Sequence, residues 1–353
     1  MKKVVLTLLT MAALASCTTT EIINGGSSND NAIKFGRVST RVDSASEIEE
    51  FSVWATVSSI GSTEVSYLPI LENERVYRDP VGSENWTYDN TQRWLSNSIF
   101  YFFAVYPRDI EVEQLRIDSG SSMMTGYLFG VTADGSASTK DILVATNVTN
   151  TNVEDYATTV PLTFIHLLSK INLTVSQNTD IDSEFEYYVT KVTITGLVGN
   201  DNYMAAPFNG SIRPTWLGDF EMPDGSIEIT PPTPITLTAD FSDEPVCLRK
   251  GQGASREANP LKVWGEDGVM LVPQNIAANG VKIRVEYLYD TNPNDTDLGQ
   301  PKFVEGYIPA ITWQSNTAIN YNIAIANTSN IVFNQPSIVL WGSPNTGGTV
   351  IIK

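Results

Sequence analysis

Aromatic and β-branched side chains alternate with polar ones in short runs along most of the chain, and Gly, Asn, Asp or Pro closes the runs. A period of two sets every second residue on one side of an extended backbone, the pattern of a strand with one buried face. Phe51–Val57, Ile99–Tyr106, Lys170–Val175, Lys191–Thr195 and Val281–Tyr289 are clear cases. Helical periodicity is nearly absent; only Tyr88–Ser96 is expected to hold a short helix or turn. The predicted class is all-β, with antiparallel strands arranged as two sandwiches.

The N-terminal end follows another rule. Lys2 and Lys3 precede an apolar run from Val4 to Leu14, and small residues lead to Cys17, which is the layout of a secretory signal peptide. The run is too short to remain as a membrane-spanning helix. Leu14-Ala15-Ser16-Cys17 resembles the bacterial lipobox, which implies cleavage after Ser16 and acylation of Cys17. Several acyl chains hold a protein on a membrane far more firmly than one. Residues 1–16 are therefore expected to be a lipoprotein signal. Residues 17–32, rich in Gly, Ser, Asn and Thr, are expected to be a flexible tether, since they cannot bury enough apolar area to order themselves.

The remaining stretch of about 320 residues exceeds the size at which one core usually stops growing. Two domains are expected, at 33–177 and 178–353, with the boundary in the polar break Ser176–Ser183. Beyond the leader no run approaches the ~20 apolar residues of a membrane span. The formal charge of −18 repels nucleic acid and anionic lipid surfaces. Once Cys17 is acylated, Cys247 is the only thiol left, so no intramolecular disulfide can form and the fold must rest on its core.

Residues suited to catalysis are sparse. His166 is the only histidine, which removes most zinc sites and most Ser-His-Asp or Cys-His constellations, and its place in the alternating run Phe164–Leu168 points to a hydrogen-bonded structural role. The loop Asp290–Asp297 begins like a calcium-binding loop. It departs from that pattern where Asp295 stands in the place of the turn glycine and Pro301 in that of the bidentate glutamate, so a solvated loop is expected. No metal or cofactor is implied, and no phosphate-binding glycine loop or nucleophile elbow occurs. With 40 acidic residues, spacing alone leaves room for a paired-carboxylate glycosidase. Trp54, Trp86, Trp94 and Trp313 lie in or beside strand-like runs and are expected in the core. Exposed tryptophans would instead indicate a lipid-anchored surface glycan-binding protein.

Several segments together resemble the fimbrillin, or type V pilin, family of anaerobic Gram-negative bacteria. They are Ile33–Arg41, Phe51–Ala55, Trp86–Tyr88 with Trp94, Phe102–Pro107, Asp141–Ala145, Leu162–His166 with Lys170–Leu173, Leu271–Gln274, Trp313 with Tyr321, and Trp341-Gly342. Their order spans nearly the whole mature chain. The resemblance implies two transthyretin-like β-sandwiches, export to the outer membrane as a surface-exposed lipoprotein, and assembly into a fimbrium with other subunits. It implies a structural and adhesive protein, not an enzyme, whose remaining partners would be host or bacterial surface ligands. It further implies that an Arg-specific protease cuts after the first strand, opening a groove that a C-terminal strand of the next subunit fills. Ala32–Phe35 is then the removable strand, and Arg37 and Arg41 are the candidate cleavage points. Arg41 is preferred because it sits farther into the acidic, Ser-rich segment Asp43–Glu50, which reads as an exposed loop.

Residues 331–353 hold three short apolar pieces, Ile331–Phe333, Ser337–Trp341 and Thr349–Ile352, separated by Asn-Gln-Pro and by a Gly-rich break. Such breaks give a donated strand room to swing, and Ile338, Leu340, Val350 and Ile352 are the expected groove-filling side chains. The competing expectation is that these pieces are the last strands of the C-terminal sandwich.

Overall fold

A computed structural model of the chain describes residues 31–40, 48–61, 67–118, 123–136, 138–151, 159–177, 185–205, 215–216, 232–250, 257–291, 298–327 and 330–341. Regular structure among them is entirely β. The short helix or turn expected over Tyr88–Ser96 is irregular chain ending in a turn. Its backbone bonds go to the N-terminal segment, where Ala32 bridges Arg93.

The largest sheet has seven strands, in the order Phe35–Thr40, Val160–His166, Leu143–Thr151, Ser98–Tyr106, Glu50–Ser59, Leu68–Arg78, Trp86–Thr87. Its middle strand, Ser98–Tyr106, is apolar almost without alternation because both of its faces are covered. Phe100, Phe102 and Ala104 enter one core with Phe51, Val53, Phe164, Tyr88 and Trp94. Tyr101, Phe103 and Val105 enter another with Met124, Leu128 and Val144. The Ala32–Arg93 bridge joins the two margins of the sheet, so that it rolls around the first core.

A four-stranded sheet (Gln114–Asp118, Met123–Thr132, Asn200–Ala205, Thr215–Trp216) covers the outer face of the roll. It approaches so closely that a Cβ on Gly126 would stand 2.3 Å from the Phe103 ring, which accounts for a glycine in the interior of a strand.

Two further sheets enclose the core of the C-terminal part. One is built on Ser169–Gln177 and Thr317–Asn327, the other on Glu186–Val198 and Lys282–Asp290. Trp313, Tyr321, Tyr287 and Val285 lie between them, and Trp313 Nε1 donates to the Tyr321 hydroxyl at 2.8 Å.

Two expectations need correction. The boundary expected in Ser176–Ser183 puts Ser169–Gln177 in the first domain, but this strand pairs along its whole length with Thr317–Asn327, so the change of sheet falls at Leu167-Leu168. Leu167 and Leu168 are buried, and no polar break marks a crossover made inside a core. Asn200–Ala205 then returns to pair with Met123–Thr132, so strands of the second half complete the first. The pairing is also not uniformly antiparallel, since Phe35–Thr40 with Val160–His166 and Ser169–Gln177 with Thr317–Asn327 are parallel.

Candidate assembly site

The first strand lies at a margin of the seven-stranded sheet. Phe35 pairs with Val160, Val38 with Leu162 and Thr40 with Phe164. On the other side the chain just before it exchanges backbone hydrogen bonds with the 92–94 segment: Ile33 N–H donates to Gln92 O and Trp94 N–H to Asn31 O, both at 2.9 Å. A short stretch of chain is thereby held between two otherwise separate walls.

Its apolar side chains follow the same logic. Ile33, Phe35 and Val38 are buried, and the Phe35 ring meets Phe51, Tyr88 and Phe102 edge-on at 5.5–6.2 Å. Gly36 permits close contact with the chain before Val160, because a Cβ there would stand 2.5 Å from Thr159 Oγ1. Tyr88 locks the segment from across the roll, donating its hydroxyl to Ile33 O at 2.9 Å and accepting from Gln92 N–H at 3.0 Å. Burial pushes this phenol up to about 12.

The register slips between Gly36 and Val38, which leaves Arg37 as the unpaired residue of a bulge inside the strand. Arg41 follows the strand's last residue and lies outside the described residues, as do Cys17, Val350 and Ile352.

At the other end of the chain, Asn330–Phe333 and Ser337–Leu340 lie one after the other, antiparallel, along the same side of Thr317–Asn327. Ile338 opposes Ile319 and is half-buried; Leu340 opposes Thr317 and is exposed. In this structure both belong to the edge of their own sheet.

Trp341 closes the edge strand. It is buried and stacks on His166 with ring centres 4.1 Å apart and planes 7° from parallel. His166 Nδ1 in turn meets Asp141 at 2.9 Å, so the lone histidine has the hydrogen-bonded structural place expected of it. Asn316 ties this junction together: its N–H donates to Leu168 O, its carbonyl accepts from Trp341 N–H, and its side-chain oxygen accepts from His166 N–H. It has a φ of +59°, a conformation that Asn tolerates better than most residues. His166 ends the strand that pairs with the first one, so the junction places the start of the C-terminal tail beside that strand.

Sequence reasoning missed Tyr88 and Asn316 as organisers. A tyrosine after Trp-Thr and an asparagine in a turn are visible in the sequence, but their partners are 55 and 150 residues away. Of the tryptophans expected in the core, Trp94 and Trp313 are buried, while Trp54 and Trp86 are only half-buried. Among the described residues no cluster of three potential metal ligands occurs, and residues 292–297 of the calcium-like loop lie outside that set.

These features define a class: a multi-sheet all-β protein whose terminal segments lie on sheet margins. A family model described as fimbrillin-like matches residues 40–341, and the chain belongs to that family, whose members are structural proteins of fimbriae and cell adhesion. Among solved structures, a fimbrial protein from Bacteroides vulgatus superposes with a TM-score of 0.53 at 16% identity, covering 88% of this chain and 99% of its own. A proposed cell adhesion protein from Bacteroides ovatus gives 0.45 at 14% identity, with coverages of 89% and 98%. The tip fimbrial protein Mfa3 from Porphyromonas gingivalis gives 0.36 at 11% identity, with coverages of 88% and 98%. No curated protein sequence matches the chain.

Proposed function

We propose that the chain is a fimbrial subunit exported as a lipoprotein on acylated Cys17, exposed at the surface of the outer membrane, and assembled with other subunits by strand exchange. Cleavage after Arg41 releases residues up to the end of the first strand, and a C-terminal strand of a neighbouring subunit replaces it. The observation that supports this most directly is the seat of the first strand: a short segment with three buried side chains, held between Val160–His166 on one side and residues 92–94 on the other.

Taking that segment away would uncover Phe51, Phe102 and Tyr88 together with an unpaired strand margin, a combination that drives strand addition. Arg41 is favoured over Arg37 because Arg37 lies within the β ladder, whereas a protease needs a chain it can draw into its own cleft. On the donor side, each alternate apolar side chain seated in such a groove contributes roughly 1.5–3 kcal/mol.

Expression of Arg41→Ala and Arg37→Ala variants, with polymers read as ladders on unboiled gels, tests the proposal. Loss of the ladder in Arg41→Ala alone supports it. A normal ladder when both arginines are replaced contradicts it.

A further inference from the structure

We infer that a cleft beside Trp54, between the outer face of the rolled sheet and the four-stranded sheet, binds a neutral oligosaccharide. The inference does not rest on strand exchange. The cleft has a volume of about 450 Å³, within the range of small-ligand sites. Trp54 and Tyr67 line it together with Pro69, Glu72, Arg116 and Thr56. Trp54 is half-buried and Tyr67 is 42% exposed, so both rings combine a fixed seat with an open surface.

The local backbone creates this opening. Trp54 pairs with Phe103 on one side but has no register partner in Leu68–Arg78, because that strand slips between the partners of Val53 and Ala55 and again between those of Ala55 and Thr56. Asn73, with a φ of +50°, lies within the first slip. Paired bulges of this kind bend a strand and re-aim the side chains beside it.

The lining selects the occupant. The rings offer apolar faces to the C–H face of a pyranose. Glu72 and Arg116, both exposed at the cleft, supply a carboxylate acceptor and guanidinium donors for sugar hydroxyls. Pro69 carries no N–H, so this part of the strand has one ladder donor fewer to offer a peptide, which favours recognition by side chains. The chain's charge of −18 disfavours acidic polysaccharide.

The test is titration of the full mature chain with cellotriose, mannotriose and lacto-N-tetraose, with trigalacturonic acid and a proline-rich peptide as comparators, followed by tryptophan fluorescence and calorimetry. At least one neutral sugar is expected to bind with a Kd of about 1 mM or tighter, and Trp54→Ala and Tyr67→Ala should each weaken it by about tenfold or more. Trp54→Phe should retain part of the affinity, and Phe303→Ala, an exposed aromatic in the second half of the chain, should leave it unchanged. Unaltered thermal melts exclude misfolding as the cause. No binding of any neutral sugar, binding that survives Trp54→Ala, or binding of the acidic sugar or the peptide alone would overturn the inference.

Discussion

On the proposed route the Phe35 side chain is essential to the precursor and irrelevant to its product. It is buried and touches three aromatic rings, so Phe35→Ala should destabilise the uncleaved protein by about 3–5 kcal/mol in urea titrations. The same substitution should leave an assembled fibre unchanged, since the residue is removed before assembly on the proposed route. Tyr88 and Tyr321 set a pH limit: burial pushes both phenols up to about 12, above the ordinary value near 10. The unfolded chain therefore loses these protons first, and the stability held at neutral pH falls as pH rises from about 10 to about 12. Urea midpoints measured across that window should fall steadily, and Tyr88→Phe should lessen the slope. At the N-terminus, Cys17→Ser should move the protein from membrane to soluble fractions; unchanged membrane retention would remove the lipid anchor from the account.

Strands were legible one by one, but their partners were not. Period-two runs locate Phe51–Val57, Lys170–Val175 and Val281–Tyr289, and the ends of the observed strands differ from these by only one or two residues. What alternation cannot encode is which edge a strand joins. Ser169–Gln177 and Thr317–Asn327 are paired across about 150 intervening residues, and nothing local in either marks the other. The margins of the roll were half legible: the sequence places the removable strand at Ala32–Phe35, whereas the strand runs over Phe35–Thr40, and the opposing wall at residues 92–94 reads as a turn-like stretch. Two changes near the C-terminus have different expected consequences. Trp341 is fixed against His166 and Asn316, so Trp341→Ala should cost about 3–5 kcal/mol of stability. Removing Thr349–Lys353 should instead leave a folded, secreted monomer, by circular dichroism, that no longer extends polymers. Degradation of that truncated chain would mean that its last residues belong to its own core, and full-length polymers would mean that the donor lies elsewhere.

The whole molecule is tied together more closely than two beads on a string. Val272 and Trp341 enter the core beneath the four-stranded sheet, and Asn200–Ala205 forms part of that sheet. A fragment ending at Gln177 would carry a strand without its partner and a roll with part of its cover missing, so it should bind hydrophobic dyes and lack a cooperative melt. Such integration suits the proposed route, on which a subunit has to survive the loss of its first strand until a neighbour supplies another. The N-terminal residue of subunits taken from assembled surface fibres decides whether the proposed loss of the first strand happens. Cleavage after Arg41 gives a chain that begins at Val42. Subunits in the fibre that still begin at Cys17 would contradict it.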